Sequence, residues 1–202
     1  MPAGVRYKEP KLLDLNQRNG TFCDAREQAG PAIQEPRAAR GLAVGDLFND
    51  GKMDVVIENL DGSPTILRNL GIPRCHWVSF ELAGTKSNRL AIGARLKMVA
   101  GGMTQTEEIY SGGSYLSQND LRVHFGLGSS TRIDSLEIRW PSGAVDVVKD
   151  LAADRFYSLL EGKGVVPFEQ IRPGAANSSA PKPKGRLLPS VNLPASESAV
   201  KQ

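Results

Sequence analysis

The densest chemistry in this chain lies in nine residues, Asp46-Leu47-Phe48-Asn49-Asp50-Gly51-Lys52-Met53-Asp54, where three carboxylates and a glycine sit between two apolar runs. Oxygen donors at alternate positions of a tight loop converge on one hard cation, and a glycine lets the backbone wrap it. By that rule Asp46, Asp50 and Asp54 are side-chain ligands for calcium, and Lys52 lends its backbone carbonyl. The third loop position should also carry oxygen, but it is Phe48. The loop is not an EF-hand, because the bidentate Glu of that motif would fall at Ile57. A solvated acidic turn without an ion is the competing reading, since Asp and Gly are ordinary turn residues.

Two further stretches are rich in hydrogen-bonding groups. Ser111, Gly112, Gly113, Ser114 and Tyr115 combine hydroxyls with a glycine pair that lets a backbone approach a partner closely. Ser87, Asn88 and Arg89 form a second polar loop. Together they make a candidate ligand-binding surface; the plainer alternative for the first is a turn crossing between two sheets. His76 and His124 are the two histidines. Beside an acid such as Asp120 or Asp134, either could act as a base. His124, however, falls on the polar face of a strand, and His76-Trp77 reads as packing at a domain junction. There is no nucleophile elbow and no paired-histidine metal motif, so the chain reads as non-enzymatic. Trp77 and Trp140 could form a sugar platform, although Trp140 shares the apolar face of Ile138.

The elements that must position these residues read as strands throughout. Leu12, Leu13 and Leu15 suggest a short strand, Asn19-Gly20 a hairpin turn, and Thr21-Phe22 its return. Arg40 to Val44 leads into the acidic loop, and Met53 to Glu58 leaves it as a continuous apolar run, the pattern of a strand covered on both faces. Asp61-Gly62 turns the chain into Thr65 to Arg68. Residues 1–70 thus resemble one four-stranded propeller-type blade. A single blade cannot bury its own faces, and no second acidic loop follows, so upstream blades of a longer architecture are expected to precede it.

Residues 75–161 form a separate all-β unit, a β-sandwich or small barrel. Apolar residues alternate with polar ones in Val78 to Leu82, Leu96 to Ala100, Leu121 to Phe125 and Leu136 to Trp140, the period of half-buried strands. Gly101-Gly102 makes a two-residue hairpin. Gly126 and Gly128 should end their strand, and Leu151 to Asp154 suggests one helical turn. Residues 171–202 dissolve into Pro, Ser, Ala, Gly and Lys, the composition of a disordered basic tail.

The formal charge is +3. From Arg172 onward there are five basic residues against one acidic, which leaves residues 1–171 at −1. A nearly neutral folded part gives no reason to expect nucleic acid as a partner. No apolar run is long enough to span a bilayer. The first residues lack the apolar core of a signal peptide. Cys23 and Cys75 make neither a disulfide framework nor a metal knuckle, and one bridge or two free thiols are both open.

Several blocks of the second half resemble the ASPIC/UnbV domain, which in the cartilage acidic protein family follows an FG-GAP/VCBS propeller. They are His76-Trp77, Gly84 to Arg89 with Ile92-Gly93-Ala94-Arg95, Ser111 to Gln118, His124-Phe125-Gly126-Leu127-Gly128, and Arg139-Trp140-Pro141-Ser142-Gly143. The front half is similar to a preceding blade through Asn19 to Phe22, Ala39 to Asp46 and Leu67-Arg68-Asn69, and departs from it at Phe48 and Lys52. The resemblance implies an extracellular or periplasmic interaction or adhesion module with a protein or glycan ligand and a calcium loop. The alternative is an accessory polysaccharide-binding domain of an enzyme system.

Overall fold

A computed structural model describes residues 7–172 apart from 18 and 61. The tail beyond Arg172 lies outside the described residues. The boundary expected at 171 moves outward, however, because Ile171 is buried beside Ala83 and Leu160.

The front of the chain holds two small sheets. Strands β1 (Asp14–Asn16) and β2 (Phe22–Asp24) pair antiparallel, with Asn16 opposite Phe22. Their turn is five residues long rather than two. Gln17 N–H donates to the Thr21 carbonyl at 2.9 Å, and Asn19 Oδ1 accepts from the Thr21 N–H and hydroxyl. A short helix, α1 (Pro31–Gln34), buries Ile33. Next come β3 (Ala39–Gly45), β4 (Asp54–Asn59) and β5 (Thr65–Leu67), an antiparallel sheet in that order. The expected four-stranded blade is therefore three strands beside a separate hairpin, with the Gly30 to Pro36 stretch and α1 lying between them. Strand β4 is not covered on both faces. Asp54, Ile57 and Asn59 are buried, Val55 and Val56 are half-buried, and Glu58 is exposed.

The second unit stacks two four-stranded sheets. The ladder β11-β10-β7-β8 comprises β7 (Arg95–Ala100), β8 (Met103–Glu108), β10 (Arg132–Arg139) and β11 (Val145–Ala152), all antiparallel. The ladder β13-β12-β6-β9 comprises β6 (His76–Ala83), β9 (Val123–Gly128), β12 (Arg155–Leu160) and β13 (Gly164–Val166), with β6 and β12 parallel. A short helix, α2 (Phe168–Ile171), follows.

The alternating apolar positions of the sequence face one another across the gap. Val78, Phe80, Leu82, Phe125, Leu127 and Leu159 from one sheet meet Leu96, Met98, Ile133, Leu136 and Ile138 from the other. Phe80 and Phe125 pack edge to face with centroids 6.1 Å apart. Strands β8 and β9 do not pair, so no barrel closes; the Gln105 side chain bridges them by donating to the Gly126 carbonyl at 2.7 Å.

Gly128 ends β9 as expected, while three local expectations are corrected: Gly126 lies inside β9, β11 continues to Ala152 where a helical turn was expected, and β13 with α2 extends the unit past residue 161. Among the described residues no helix is long and apolar enough to cross a membrane.

Candidate functional site

The three loop aspartates do not converge on a common point; each is consumed in shaping the turn between β3 and β4. Asp46 is buried and accepts from the Asp50 N–H at 3.0 Å and the Gly51 N–H at 2.8 Å, one on each oxygen. Asp54 accepts from the Leu47 N–H at 3.3 Å and from the Asn69 N–H at 2.8 Å, which ties the loop to the end of β5. Asp50 accepts from the Lys52 N–H at 3.2 Å, and the charged groups of Lys52 and Arg68 lie 3.5 and 3.6 Å from its other oxygen. Partial burial pushes the Asp50 carboxyl up, but the Lys52 N–H, then the Lys52 ammonium and the Arg68 guanidinium outweigh it and hold the group below its ordinary value.

Phe48, where an oxygen was expected, carries the Arg68 guanidinium over its ring at 4.4 Å. Each oxygen of Asp46 and Asp54 accepts one N–H, two cations flank Asp50, and among the described residues no group of three His, Cys, Asp or Glu is placed to hold a metal.

Shaped this way, the loop offers its backbone to the sandwich. A Cβ at Gly51 would overlap the Trp77 indole at 1.8 Å, so only glycine allows this approach, and its φ of +79° independently favours glycine. Trp77 is held by the edge of Phe156 at 4.8 Å and by His124 stacked at 6.1 Å. The His124 Nε2 lies 2.9 Å from the Gly51 carbonyl, which can only accept, so Nε2 carries the hydrogen. His124 is thus half-buried in a contact rather than solvated. Arg122, which the sequence reading passed over, donates to the Asp46 carbonyl at 3.0 Å and to Asn49 Oδ1 at 2.7 Å. Asp120 orients it from 2.6 Å and, through that hydrogen bond, holds the guanidinium above its ordinary value.

The serine-glycine block closes the same seam from the other side. Ser114 Oγ accepts from the Leu42 N–H at 3.2 Å, Asn119 Oδ1 accepts from the Val44 N–H at 3.0 Å, and the Asp120 N–H donates to the Val44 carbonyl at 2.9 Å. Gly41 and Gly45 permit this contact, since a Cβ would meet Ser117 Oγ at 2.4 Å and Asp120 Cβ at 3.1 Å. The structure therefore brings Asp46, Asp50, Lys52 and Asp54 to one seam with Ser114. Ser111, Gly112, Gly113 and Tyr115 border it.

Ser87, Asn88 and Arg89 lie elsewhere, around a carboxylate that the sequence did not advertise. Glu161, 4 % exposed, receives the N–H groups of Thr85, Lys86 and Ser87 on one oxygen at 2.7 to 2.8 Å and the hydroxyls of Ser87 and Ser142 on the other at 2.9 and 2.5 Å. Burial pushes this carboxyl up; the Ser142 hydroxyl and then the three N–H groups overcome that and hold it far below the usual carboxylate range. Asn88 closes its own loop on the backbone of Ile92, and Arg89 donates to the Ile171 carbonyl.

The remaining candidates are likewise committed to structure. His76 Nδ1 pairs with Asp154 at 2.7 Å, not with Asp120 or Asp134. Trp140 is buried and donates to Asp146 at 2.8 Å. With Trp77 packed as described, neither indole presents a free face for a sugar. Cys23 and Cys75 are both free thiols.

Comparison with known proteins finds similarity over part of this chain. The aligned stretch shared with mouse (Mus musculus) cartilage acidic protein 1 is 43% identical over 54 residues, which is 26% of this chain and 8% of that protein. Residues 84–166, from the loop that cradles Glu161 to the end of β13, match the family described as ASPIC and UnbV.

Proposed function

We propose that this chain is a non-catalytic recognition module of the extracellular space or cell envelope, in which an ASPIC/UnbV sandwich carries a β-hairpin unit docked on one side and binds a protein partner. The observation that carries this reading is the seam itself. Trp77, Arg122, His124, Ser114 and Asn119 all spend their chemistry on holding the front unit. What is left on the surface beside that seam is contact area: Tyr110, Tyr115 and Leu116 are exposed. A protein is favoured over a glycan because Trp140 is buried and the half-buried Trp77 is packed against Gly51, His124 and Phe156.

The front unit has an outward-looking role in the same scheme. It buries few apolar side chains of its own and exposes Leu13, Leu15, Phe22 and Ile66. We infer that neighbouring propeller-type sheets of a longer chain cover these residues, and that the seam transmits their position to the sandwich.

The test is a binding screen of the whole chain against arrays of secreted proteins and of glycans, run alongside model ester and glycoside substrates. Protein binding that survives chelation of divalent ions is expected. Substrate turnover lost in His76→Ala, or binding confined to glycans, overturns the reading.

A further inference from the structure

The outer face of the β11-β10-β7-β8 sheet carries a charge arrangement that the fold does not need. The register sets Arg95 directly opposite Arg139 on neighbouring strands, and like charges in that position destabilise a sheet. Each is drawn to one acid: Arg95 Nε donates to Glu108 at 2.7 Å and Arg139 Nε to Glu137 at 2.8 Å. The two arginine side chains are 68 % and 69 % exposed, so these bridges return little stability. Because both bridges run through Nε, the terminal nitrogens of the two guanidinium forks stay available to a further carboxylate. Lys97 follows two residues after Arg95 on the same face, opposite the Glu137 that Arg139 has taken, and among the described residues it makes no ion pair.

Arg95, Lys97 and Arg139 line a hollow of about 310 Å³ on this face. Lys149 stands one row further along it, opposite Ser135. Over the three rows from Arg95 to Val99 the face holds four basic side chains and two acidic ones, and its other positions are Val, Thr and Ser. The excess is positive, whereas residues 1–171 as a whole carry −1. The front unit and α2 both pack against the other sheet, and Val145 and Val147 on this one stay more than half exposed. Along β7 the two cations recur every second residue, a step of roughly 7 Å, which is also the step at which an extended peptide presents the side chains of one face.

We propose that this face binds an extended acidic segment of a protein partner, whose carboxylates at alternate residues meet first the Arg95–Arg139 pair and then Lys97. A carboxylate seated between the two guanidiniums turns their repulsion into a shared, charge-assisted contact. The inference rests on the recognition reading only for the partner being a protein. Its surface lies on the sheet opposite the seam, so either can fail without the other.

Fluorescence anisotropy of a labelled peptide of alternating Glu and Thr, titrated with the full chain, tests it. Binding that weakens as salt rises is expected, reduced about fivefold or more by Lys97→Thr and by Arg139→Thr. Arg139→Thr is also the control for folding: it removes the facing like charge, so the melting temperature should hold or rise while binding falls. Arg172→Ser, beside Glu81 of the other sheet, should leave binding unchanged. A peptide left unbound at low salt, or bound equally by Lys97→Thr and Arg139→Thr, overturns the proposal, and a protein found by the binding screen would then leave the recognition reading standing. Equal binding of a peptide with its glutamates in one block overturns the alternate spacing. Heparin bound through Lys97 and Arg139, with the peptide ignored, overturns the proposal in favour of a sulfated glycan.

Discussion

The acidic loop and the Glu161 cradle solve one problem in two places. In both, carboxylate oxygens accept backbone N–H groups, so the negative charge organises a loop. The loop divides the task among three aspartates on a hairpin whose outer contacts are made to another unit. The cradle concentrates it in a single glutamate within the sandwich, joining the β6–β7 loop, the turn after β10 and the end of β12. The difference is one of redundancy. The hairpin can lose one contact and keep its shape, while the cradle has a single anchor.

Breaking that anchor should give the largest effect. Glu161→Gln turns a charged acceptor into an amide facing three N–H groups, and urea unfolding should show a loss of about 2 to 4 kcal/mol. If the loss is no greater than for Asp46→Asn, the contrast in redundancy fails. Next comes Gly51→Ala, which should cost about 2 kcal/mol or more, because it combines strain at positive φ with a collision against Trp77. Gly20→Ala, also at positive φ but with nothing near its Cβ, should cost only about 1 kcal/mol. Equal losses would mean that the seam itself contributes nothing.

Acid should separate the two regions further. The folded Glu161 carboxyl is depressed, so its stabilisation is complete above the unfolded value of about 4.3 and is lost as pH falls from there toward the folded value. Urea midpoints taken between neutral pH and pH of about 3 should therefore drop more in the parent chain than in Glu161→Gln. Parallel curves would remove Glu161 from the account. The smallest effect is expected from calcium: titration should give no heat and no change in melting temperature. A clear rise abolished by Asp50→Asn would restore the cation to the loop and end the comparison.

The sandwich was largely legible in the sequence because one face of each strand is buried, which imprints a period of two on β6, β7 and β10. The front unit was read less well. Its strands bury little, so apolar runs such as Val55-Val56-Ile57 carry no clean sidedness. The aspartate spacing was visible, but what it builds depends on Trp77, Arg122 and His124, two of them more than seventy residues away. Nothing local marks Gly41, Gly45 or Gly51 as contact glycines rather than turn glycines. Glu161 left almost no trace, since one acid after Leu159-Leu160 looks like any strand end. Its partners Thr85, Lys86, Ser87 and Ser142 come from two other loops, and nothing in the polar run Thr85-Lys86-Ser87 marks the carboxylate it holds.

The parallel pairing of β6 with β12 carries a consequence for synthesis. As the chain leaves the ribosome, β6 can find β9 early, but its other edge stays open until residues 155–160 have emerged. The strand that gives Trp77 to the front unit is thus completed by a segment made only after β7 to β11, with Glu161 directly behind it. A nascent chain stopped before β12 would expose an unpaired hydrophobic edge at the centre of its sheet and would depend on chaperones for its solubility.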